Sequence, residues 1–279
     1  MENSNKKVWF ITGASKGLGL SLVKKLLDEG YLVAATSRNS ASLVHAVGSH
    51  SNFLPLQVNL ANEQSIITAI NSTVTAFGRI DVVVNNAGYG IGGAIEELSS
   101  KEIYQSFDVN VFATLLVIKS VMSQLRIQKS GHIINISSIA GFAAATGWAV
   151  YAATKFAVVG LSEVLAEDVK EFGIHVTVVE PGAFRTNFLS ADSLITAENP
   201  IAEYKGVRAS HAKYSNMDGT QLGDPEKAAA VFIDLAENPN PPVRLFLGSD
   251  AHNRATDKVA LLQKDLQDWK AVTISTDFE

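Results

Sequence analysis

Short apolar runs alternate with longer helical patterns along the first two thirds of the chain, and this alternation constrains the fold most strongly. The runs are rich in valine and isoleucine and mostly lack polar alternation, which is typical of strands covered by helices on both faces. They span residues 8–12, 32–36, 53–58, 82–85, 132–136 and 175–179. The helical patterns lie near residues 17–28, 63–77, 101–128 and 151–172. This order predicts one α/β domain over residues 1–279, a doubly wound parallel sheet with a seventh strand near 243–247.

The composition of the chain excludes several kinds of site and partner. Cysteine is absent, which excludes a disulfide framework, a zinc–thiolate site and a cysteine nucleophile. The six histidines show no metal-ligand spacing, so we expect no metal. A net charge of −5 argues against nucleic acid as a partner. Residues 1–9 contain no apolar signal segment, and no run approaches the roughly 18 apolar residues of a membrane span, so we expect a soluble cytoplasmic protein.

A glycine-rich segment follows the first predicted strand and opens the first helix. Gly13 allows a sharp turn, Gly17 a close approach of backbone to a pyrophosphate, and Gly19 close packing of helix on sheet. Because the start of a helix offers free N–H groups and a positive dipole end, it favours phosphate. The spacing is not that of the common dinucleotide fingerprint, so turn chemistry alone is the alternative interpretation. The predicted phosphate-binding residues are Gly13, Ser15, Lys16, Gly17, Leu18 and Gly19.

The end of the second predicted strand bears on the choice of cofactor. An NAD site usually places a carboxylate there for the ribose hydroxyls, but this chain has Ser37 and Arg38 and no acid nearby. Lys16, in the glycine segment, can point to the same corner. Two cations without a carboxylate favour a 2′-phosphate, and hence NADP(H) over NAD(H). The alternative is that both cations are solvated surface charges.

Tyr151 and Lys155 lie one helical turn apart and therefore on one face of a helix. A nearby cation and the helix dipole should lower the pKa of the tyrosine from about 10, which would allow it to protonate a carbonyl oxygen or deprotonate an alcohol. Ser138 follows the fifth predicted strand and could donate a hydrogen bond to the same oxygen. Asn110 is a polar residue in an apolar helical stretch, and a buried amide that satisfies the backbone is its alternative interpretation.

Taken together, these motifs resemble the short-chain dehydrogenase/reductase family. The resemblance extends from residue 8 to about residue 248, and the matching pieces run in the family's order. These pieces are residues 12–19, residues 85–88, Asn110, Ser138, Tyr151 with Lys155, Pro181-Gly182 and Thr186. The resemblance implies that Tyr151 is the catalytic acid/base and that Ser138 orients the substrate oxygen. It implies that Lys155 binds the nicotinamide ribose and lowers the tyrosine pKa. Asn110 would anchor a water that leads protons to Lys155.

The resemblance also extends the predicted cofactor site beyond the glycine segment. The segment after the sixth strand would hold the nicotinamide amide, through Pro181, Gly182, Phe184 and Thr186. The segment after the fourth strand would support the sheet and border the adenosine, through Asn86, Ala87 and Gly88. The family often has an acidic residue after the third strand that contacts the adenine amino group. This chain has Asn59 and Leu60 there, and the amide oxygen of Asn59 can accept that hydrogen bond.

We therefore expect an NADPH-dependent carbonyl reductase, reversibly an alcohol dehydrogenase, that acts on a small-molecule ketone, aldehyde or secondary alcohol. The apolar neighbours of the site are Ile91, Phe142, Trp148, Phe184 and Phe188. They point to a hydrophobic substrate, although they could equally be ordinary core residues. One alternative is an epimerase or dehydratase of the same fold. The other is a non-enzymatic NADP-sensing or scaffold protein, a class that typically lacks the tyrosine or the lysine.

Two segments fall outside the regular alternation. Residues 187–222 form a long polar excursion before a helix that starts near Asp224-Pro225, and we expect a substrate-binding lid; a surface insertion is the alternative. Residues 249–279 form a helical extension with one apolar stripe, made of Val259, Leu262, Leu266 and Trp269. The stripe should pack on its own domain, or cover a subunit contact or the edge of the substrate cleft. The family resemblance implies a homodimer or homotetramer formed through the helices that contain Asn110 and Tyr151.

Overall fold

A parallel sheet of seven strands forms the centre of the computed structural model, which describes residues 6–190 and 193–278. The strands of this part of the chain are β1 Val8–Ile11, β2 Leu32–Ser37, β3 Phe53–Gln57, β4 Val82–Asn85, β5 Gly90–Gly92, β6 Gly131–Ile136, β7 Ile174–Pro181, β8 Leu194–Thr196 and β9 Arg244–Leu247. The main sheet has the order β3-β2-β1-β4-β6-β7-β9, and β5 pairs with β8 separately. All seven predicted strands are present, so the doubly wound α/β prediction is confirmed.

Helices connect the strands and cover both faces of the sheet. They are α1 Gly17–Asp28, α2 Ser40–Val47, α3 Glu63–Phe77, α4 Ser100–Phe107, α5 Ala113–Gln128, α6 Ala149–Asp168, α7 Lys205–Ser215, α8 Pro225–Glu237, α9 Ser249–Asp268 and α10 Lys270–Ile274. The predicted start of a helix at Asp224-Pro225 is confirmed, because Asp224 caps α8 and accepts the N–H groups of Glu226 and Lys227. The sequence did not predict α2, which buries only Leu43 and is too short for a clear apolar period.

Alternate residues of β1 point into two separate cores, as the pleat of a strand requires. Trp9 and Ile11 pack among residues of α1 and α8 on one face of the sheet. Phe10 packs among residues of α3 and α5 on the other face. The strand is apolar at every position because it contacts helices on both sides, which is why the sequence shows no polar alternation.

The predicted helix 101–128 is three pieces rather than one. A π-helical turn, Asp108–Phe112, separates α4 from α5. In this turn, Asn110 is buried; its Oδ1 accepts the Tyr89 N–H at 3.0 Å, and its Nδ2 donates to the Tyr89 carbonyl at 2.9 Å. One extra residue in a turn does not disturb an apolar pattern enough to be seen in a sequence, and such turns often mark functional positions.

Two long helical stretches, Ser100–Gln128 and Ala149–Asp168, have the length and composition of membrane spans. In this fold, both pack against the central sheet and contribute to its cores. Core helices of doubly wound folds are apolar for the same reason as their strands, so length and composition alone do not distinguish the two environments.

The chain reverses direction across the sheet between β1 and β4. From β1 it moves outward through β2 and β3, and it returns to the other side of β1 with β4. The loops that leave β1 and β4 therefore diverge at the carboxyl edge of the sheet and leave a crevice there. Ligands of open α/β sheets bind at this switch point.

The excursion and the C-terminal extension differ in how they contact the body of the protein. Within the predicted lid 187–222, whose residues 191–192 lie outside the described ranges, β8 pairs with β5, and His211 of α7 approaches Gly92 of β5. In the extension, Ala251 and Ala255 of α9 are buried. The residues of the apolar stripe, which are between 40% and 71% exposed, are Val259, Leu262, Leu266 and Trp269. The expectation that the stripe packs on its own domain is therefore wrong. The reason is that α9 buries only Ala251 and Ala255 against the body of the protein.

Candidate active site

The glycine segment is shaped by close contacts that exclude side chains. Gly13 has a φ of +65°, and a Cβ there would lie 2.7 Å from the Cα of Ala87. A Cβ on Gly19 would lie 2.5 Å from Nδ2 of Asn86. The turn after β1 is therefore pressed against the segment after β4, and glycine is required at both positions.

Hydrogen bonds from Asn86 and Thr12 fix these two segments to one another. Asn86 Nδ2 donates to the carbonyls of Thr12 and Gly13 at 3.0 and 2.9 Å. Thr12 Oγ1 accepts the backbone N–H groups of Asn86 and Ala87 at 3.0 and 3.1 Å. These four hydrogen bonds run between the segments that follow the parallel strands β1 and β4 and hold them together. The predicted cofactor residues Asn86, Ala87 and Gly88 therefore lie beside the glycine turn.

The start of α1 fits a phosphate group. Lys16 is the N-cap residue, its side chain makes no capping hydrogen bond, and the first turn of α1 contains no acidic residue. The N–H groups of this turn therefore have no side-chain acceptor in the cap and no competing negative charge. Thr186 approaches from the opposite side, since a Cβ on Gly17 would lie 3.7 Å from the Cβ of Thr186. The predicted phosphate residues Ser15 and Leu18 lie in the same turn.

The corner predicted for the 2′-phosphate lies next to this turn. Ala14 donates its N–H to the carbonyl of Thr36 at 3.0 Å, which holds the glycine turn against the end of β2. Lys16 and Arg38 are both exposed there, and the hydroxyl of the buried Ser37 bonds to the backbone of Asn39. No carboxylate follows β2 before α2.

Asn59 and Leu60 follow β3 at the outer side of this corner. Asn59 Oδ1 already accepts the N–H of Ala61 at 3.1 Å. An amide oxygen has two lone pairs, so the predicted contact with an adenine amino group needs the second one. The sequence could not show this local turn.

Ser138, Tyr151 and Lys155 come together at the carboxyl end of β6. Tyr151 and Lys155 are both buried on α6, and Nζ of Lys155 lies 5.8 Å from the centre of the Tyr151 ring. Lys155 Nζ donates to the carbonyl of Ile136 at 3.0 Å. Ser138 Oγ accepts the N–H of Ala140 at 3.1 Å, and its side chain lies within reach of that of Tyr151. The structure thus joins the three predicted side chains in one cluster.

Burial dominates the protonation of this pair. Burial raises the pKa of Tyr151 to about 12. A hydrogen bond with Ser138 lowers this pKa, and the neighbouring Tyr214 raises it further. Burial lowers the pKa of Lys155 to about 8. The predicted lowering of the tyrosine pKa is wrong for the chain alone, because the cost of burying a phenolate exceeds the stabilisation available from its neighbours. Tyr151 is therefore a neutral phenol at neutral pH.

Asn110 lies close to the ammonium group of Lys155. A Cβ on Gly88 would lie 3.0 Å from Oδ1 of Asn110 and 3.4 Å from Nζ of Lys155. Nδ2 of Asn110 also donates to Thr154 Oγ1 at 3.2 Å. Both interpretations of Asn110 therefore have a basis: its amide satisfies the backbone of Tyr89, and it borders Lys155.

The loop after β7, residues 181–186, lies across the crevice from the glycine turn. Gly182 donates its N–H to the carbonyl of Leu247 at 2.8 Å, and Phe184 forms a bridge with Gly223. Thr186 caps the short helical turn Asn187–Leu189. The predicted residues Pro181, Gly182, Phe184 and Thr186 are therefore held on one continuous loop that faces the start of α1.

The predicted lid closes over Tyr151. The N–H of Gly90 donates to the carbonyl of Ser193 at 2.8 Å, and that of Ala197 to the carbonyl of Gly92 at 2.9 Å. The ring of Phe188 lies 6.0 Å from the ring of Tyr151. A Cβ on Gly90 would lie 2.7 Å from Cδ1 of Leu194, so the lid strand rests directly on this glycine.

An ion pair with a buried carboxylate, which the sequence did not reveal, links the excursion 187–222 to the segment after β5. Glu97 accepts the N–H groups of Ala94 and Ile201, both at 2.7 Å, and pairs with Arg208 of α7 at 2.5 Å. Burial raises the pKa of Glu97, but these N–H groups and the guanidinium more than offset that effect and hold it below its usual value. A glutamate and an arginine 111 positions apart carry no local sequence signal, so only the fold could identify them.

The inner face of α7 adds aromatic groups to the site. The ring of Trp148 lies 4.9 Å from that of His211 and 5.2 Å from that of Tyr214. Among the predicted apolar neighbours, Ile91 and Phe188 share a buried cluster with Tyr151. Phe142 and Phe184 are partly buried and pack against other clusters, near the root of α9 and beside α8 respectively.

The chain matches the short chain dehydrogenase family over residues 7–194. It belongs to that family. A short-chain dehydrogenase from Streptomyces avermitilis has a solved structure that is 34% identical, with a TM-score of 0.89 over 98% of this chain and 100% of that one. The match confirms the predicted family and the oxidoreductase class.

Two further relatives are similar over most of their length. The 3-ketodihydrosphingosine reductase of Bacteroides thetaiotaomicron is 33% identical over 87% of this chain and 88% of its own. A structure of ElxO with NADP bound is 28% identical, with a TM-score of 0.72 over 87% of this chain and 97% of that one.

Within the described residues, no three histidine, aspartate or glutamate side chains converge as a metal site requires.

Proposed function

We propose that the protein is an NADPH-dependent carbonyl reductase that converts a hydrophobic ketone or aldehyde to an alcohol. The observation that carries the proposal is the cluster of the partly buried Ser138 with the buried Tyr151 and Lys155, which lies in the crevice beside a glycine turn fit for phosphate. The same residues permit oxidation of a secondary alcohol in the reverse direction.

Each side chain has a distinct task in this mechanism. NADPH, when bound, supplies a hydride to the carbonyl carbon. Ser138 donates a hydrogen bond that orients the carbonyl oxygen, and Tyr151 gives its phenolic proton to that oxygen as negative charge develops there. Lys155 holds a positive charge near the phenol and is the predicted ligand of the nicotinamide ribose. Asn110 keeps the segment around Tyr89 in place beside Lys155.

The neutral phenol of Tyr151 is the protonation state that reduction requires. A neutral phenol is already a proton donor, and its pKa of about 12 is still far below that of the alcohol product. Oxidation would instead need a phenolate, which burial disfavours in the chain alone.

The polar surface around the end of β2 supports NADP(H) as the cofactor. Lys16 and Arg38 are exposed on neighbouring loops at the same edge of the sheet. A 2′-phosphate would be paired there, whereas ribose hydroxyls would lack a carboxylate. The NADP-bound structure of the related ElxO supports the same choice.

The aromatic lining supports a hydrophobic substrate. Ile91 and Phe188 share a cluster with Tyr151, and the ring of Trp148 packs against His211 of α7. The related 3-ketodihydrosphingosine reductase is named for a ketone on a long apolar chain. An aliphatic or aromatic ketone is therefore the first class of substrate to test.

Replacing Tyr151 with Phe tests the reaction. A panel of ketones and aldehydes is screened for NADPH consumption by the unmodified protein. The turnover of the best substrate is then compared between the unmodified protein and Tyr151→Phe. We expect turnover of Tyr151→Phe to fall by about 100-fold or more, because the ring remains and the proton donor is lost. Affinity for NADPH, measured by fluorescence titration, should change little.

Tyr104→Phe is the matched control, since it makes the same change at a tyrosine that is 70% exposed. Near-full turnover by Tyr151→Phe would mean that another group donates the proton. A product formed without net NADPH consumption would support an epimerase or dehydratase instead.

Replacing Arg38 with Asp tests the choice of cofactor. The unmodified protein should use NADPH with a markedly higher kcat/KM than NADH. In Arg38→Asp, the carboxylate repels the 2′-phosphate and can hold ribose hydroxyls, so the preference should shrink or reverse. Lys24→Asp makes the same charge change at an exposed position of α1 and should leave the ratio unaltered. Equal efficiency of both cofactors in the unmodified protein would contradict the assignment.

We also propose that the protein is a homodimer or homotetramer. Apolar side chains project from the outer faces of the π turn and α6, where Phe112 is 50% exposed, Phe156 47% and Val164 62%. Exposed aromatic and aliphatic groups on adjacent long helices are typical of subunit contacts. Phe112 and Val164 lie outside the groove that Phe156 shares with Leu261 of α9, so most of this surface does not depend on the C-terminal extension.

Removing residues 258–279 tests where the subunits meet. The shortened protein keeps Asp250, Ala251 and Ala255, which contact the body of the domain, and loses the exposed stripe. We expect light scattering to give the same subunit number for both proteins. A monomeric full-length protein would contradict the proposal, and dissociation on shortening would place α9 in the interface.

A further inference from the structure

We propose that Asp250, in the first turn of α9, is a positioning residue for the loop 181–186. The inference rests on the proposed function, because that loop is the segment predicted to hold the nicotinamide amide. It makes the root of the C-terminal extension part of the cofactor site, although its residues lie well beyond the matched family region, which ends at residue 194.

A hydrogen bond links Asp250 directly to the loop. Its Oδ2 accepts the backbone N–H of Ala183 at 2.8 Å. A carboxylate that accepts a backbone N–H forms a charge-assisted bond, which is stronger than a neutral one. Asp250 also lies in the first turn of α9, where the helix dipole favours its negative charge.

The neighbouring glycines show how closely the carboxylate fits. A Cβ on Gly182 would lie 2.1 Å from Oδ1 of Asp250, and one on Gly248 would lie 2.9 Å from the same atom. Gly248 has a φ of +102° and turns the chain from β9 into α9. Asp250 thus occupies the space left by two glycines, and the requirement for glycine at position 182 follows from the position of this side chain.

Asp250 is the acceptor for a backbone N–H group of the loop whose neighbouring backbone groups have other partners. Gly182 donates its N–H to Leu247, and the carbonyl of Ala183 accepts the N–H of Gly223 at 3.0 Å. For the N–H of Ala183, the carboxylate of Asp250 is the acceptor. Loss of that carboxylate leaves a half-buried N–H unsatisfied at the centre of the loop, and the loop must move to find water.

The same part of α9 supports the second loop of the site. Ala251 and Ala255 share a buried cluster with Ile139, the residue after Ser138. Arg254 donates a hydrogen bond to the carbonyl of Ala143. The first two turns of α9 therefore contact both the loop that carries Ser138 and the loop 181–186.

This arrangement predicts a selective defect. The predicted adenosine end of the site lies at the end of β2 and at residues 59–60 after β3. The loop 181–186 instead meets the start of α1, where Thr186 lies next to Gly17. A change at Asp250 should therefore weaken binding of the whole dinucleotide and leave binding of its adenosine half unaltered.

The experiment compares the affinities of NADPH and adenosine 2′,5′-bisphosphate, which lacks the nicotinamide half, by calorimetric titration. We expect Asp250→Ala to bind NADPH about tenfold or more weakly, as for a lost hydrogen bond to a charged group, and to bind the bisphosphate as the unmodified protein does. Asp250→Asn retains an acceptor oxygen and should show a smaller loss with the same selectivity. Asp257→Ala, an exposed position of α9, is the matched control and should bind both ligands normally.

The outcomes separate this inference from the proposed function. If the unmodified protein binds neither ligand, the cofactor assignment fails and the inference fails with it. If the unmodified protein binds both and Asp250→Ala binds NADPH equally well, the inference alone is overturned. An equal loss of both ligands in Asp250→Ala and Asp250→Asn would also overturn it, because that pattern indicates a general structural defect.

Discussion

The burial of the Lys155 ammonium beside the Tyr151 phenol is the constraint on which the site depends. A charged group away from water is costly unless it is hydrogen-bonded, and Lys155 donates to the carbonyl of Ile136 at the end of β6. The cost remains visible in the lysine pKa, which falls to about 8. The same burial keeps Tyr151 protonated. The fold thus maintains a proton donor and a cation side by side, at the expense of some stability.

Much of the surrounding structure keeps this pair in place. Ser137 donates its hydroxyl to the carbonyl of Lys155 at 2.9 Å, which ties α6 to the end of β6. The π turn directs Asn110 to the backbone of Tyr89, and Gly88 leaves room for both Asn110 and the ammonium group. These contacts come from four segments that are far apart in sequence, so the cluster exists only when the sheet is complete.

The sequence predicted the parts of this structure that follow from local chemistry. Unbroken apolar runs such as that of β1 gave the buried parallel strands, and the positions of Gly13 and Gly19 gave the turn beneath the crevice. It did not predict the π turn, since one inserted residue barely alters an apolar period. The Glu97–Arg208 pair and the contact of Asp250 with Ala183 join distant segments and have no local signature. The predicted fall in the Tyr151 pKa was wrong because the sequence shows neighbours but not the depth of burial.

An ultraviolet difference titration tests the central claim, that burial holds Tyr151 as a neutral proton donor. Ionised tyrosine absorbs at longer wavelength than the neutral phenol, so subtracting the titration of Tyr151→Phe from that of the unmodified protein isolates Tyr151. With no cofactor added, a phenol with a pKa of about 12 should give no tyrosinate signal at neutral or mildly alkaline pH, and the signal should rise only at strongly alkaline pH. A tyrosinate signal with a midpoint below the ordinary value of about 10 would contradict the account and would mean that Lys155, rather than burial, governs the phenol.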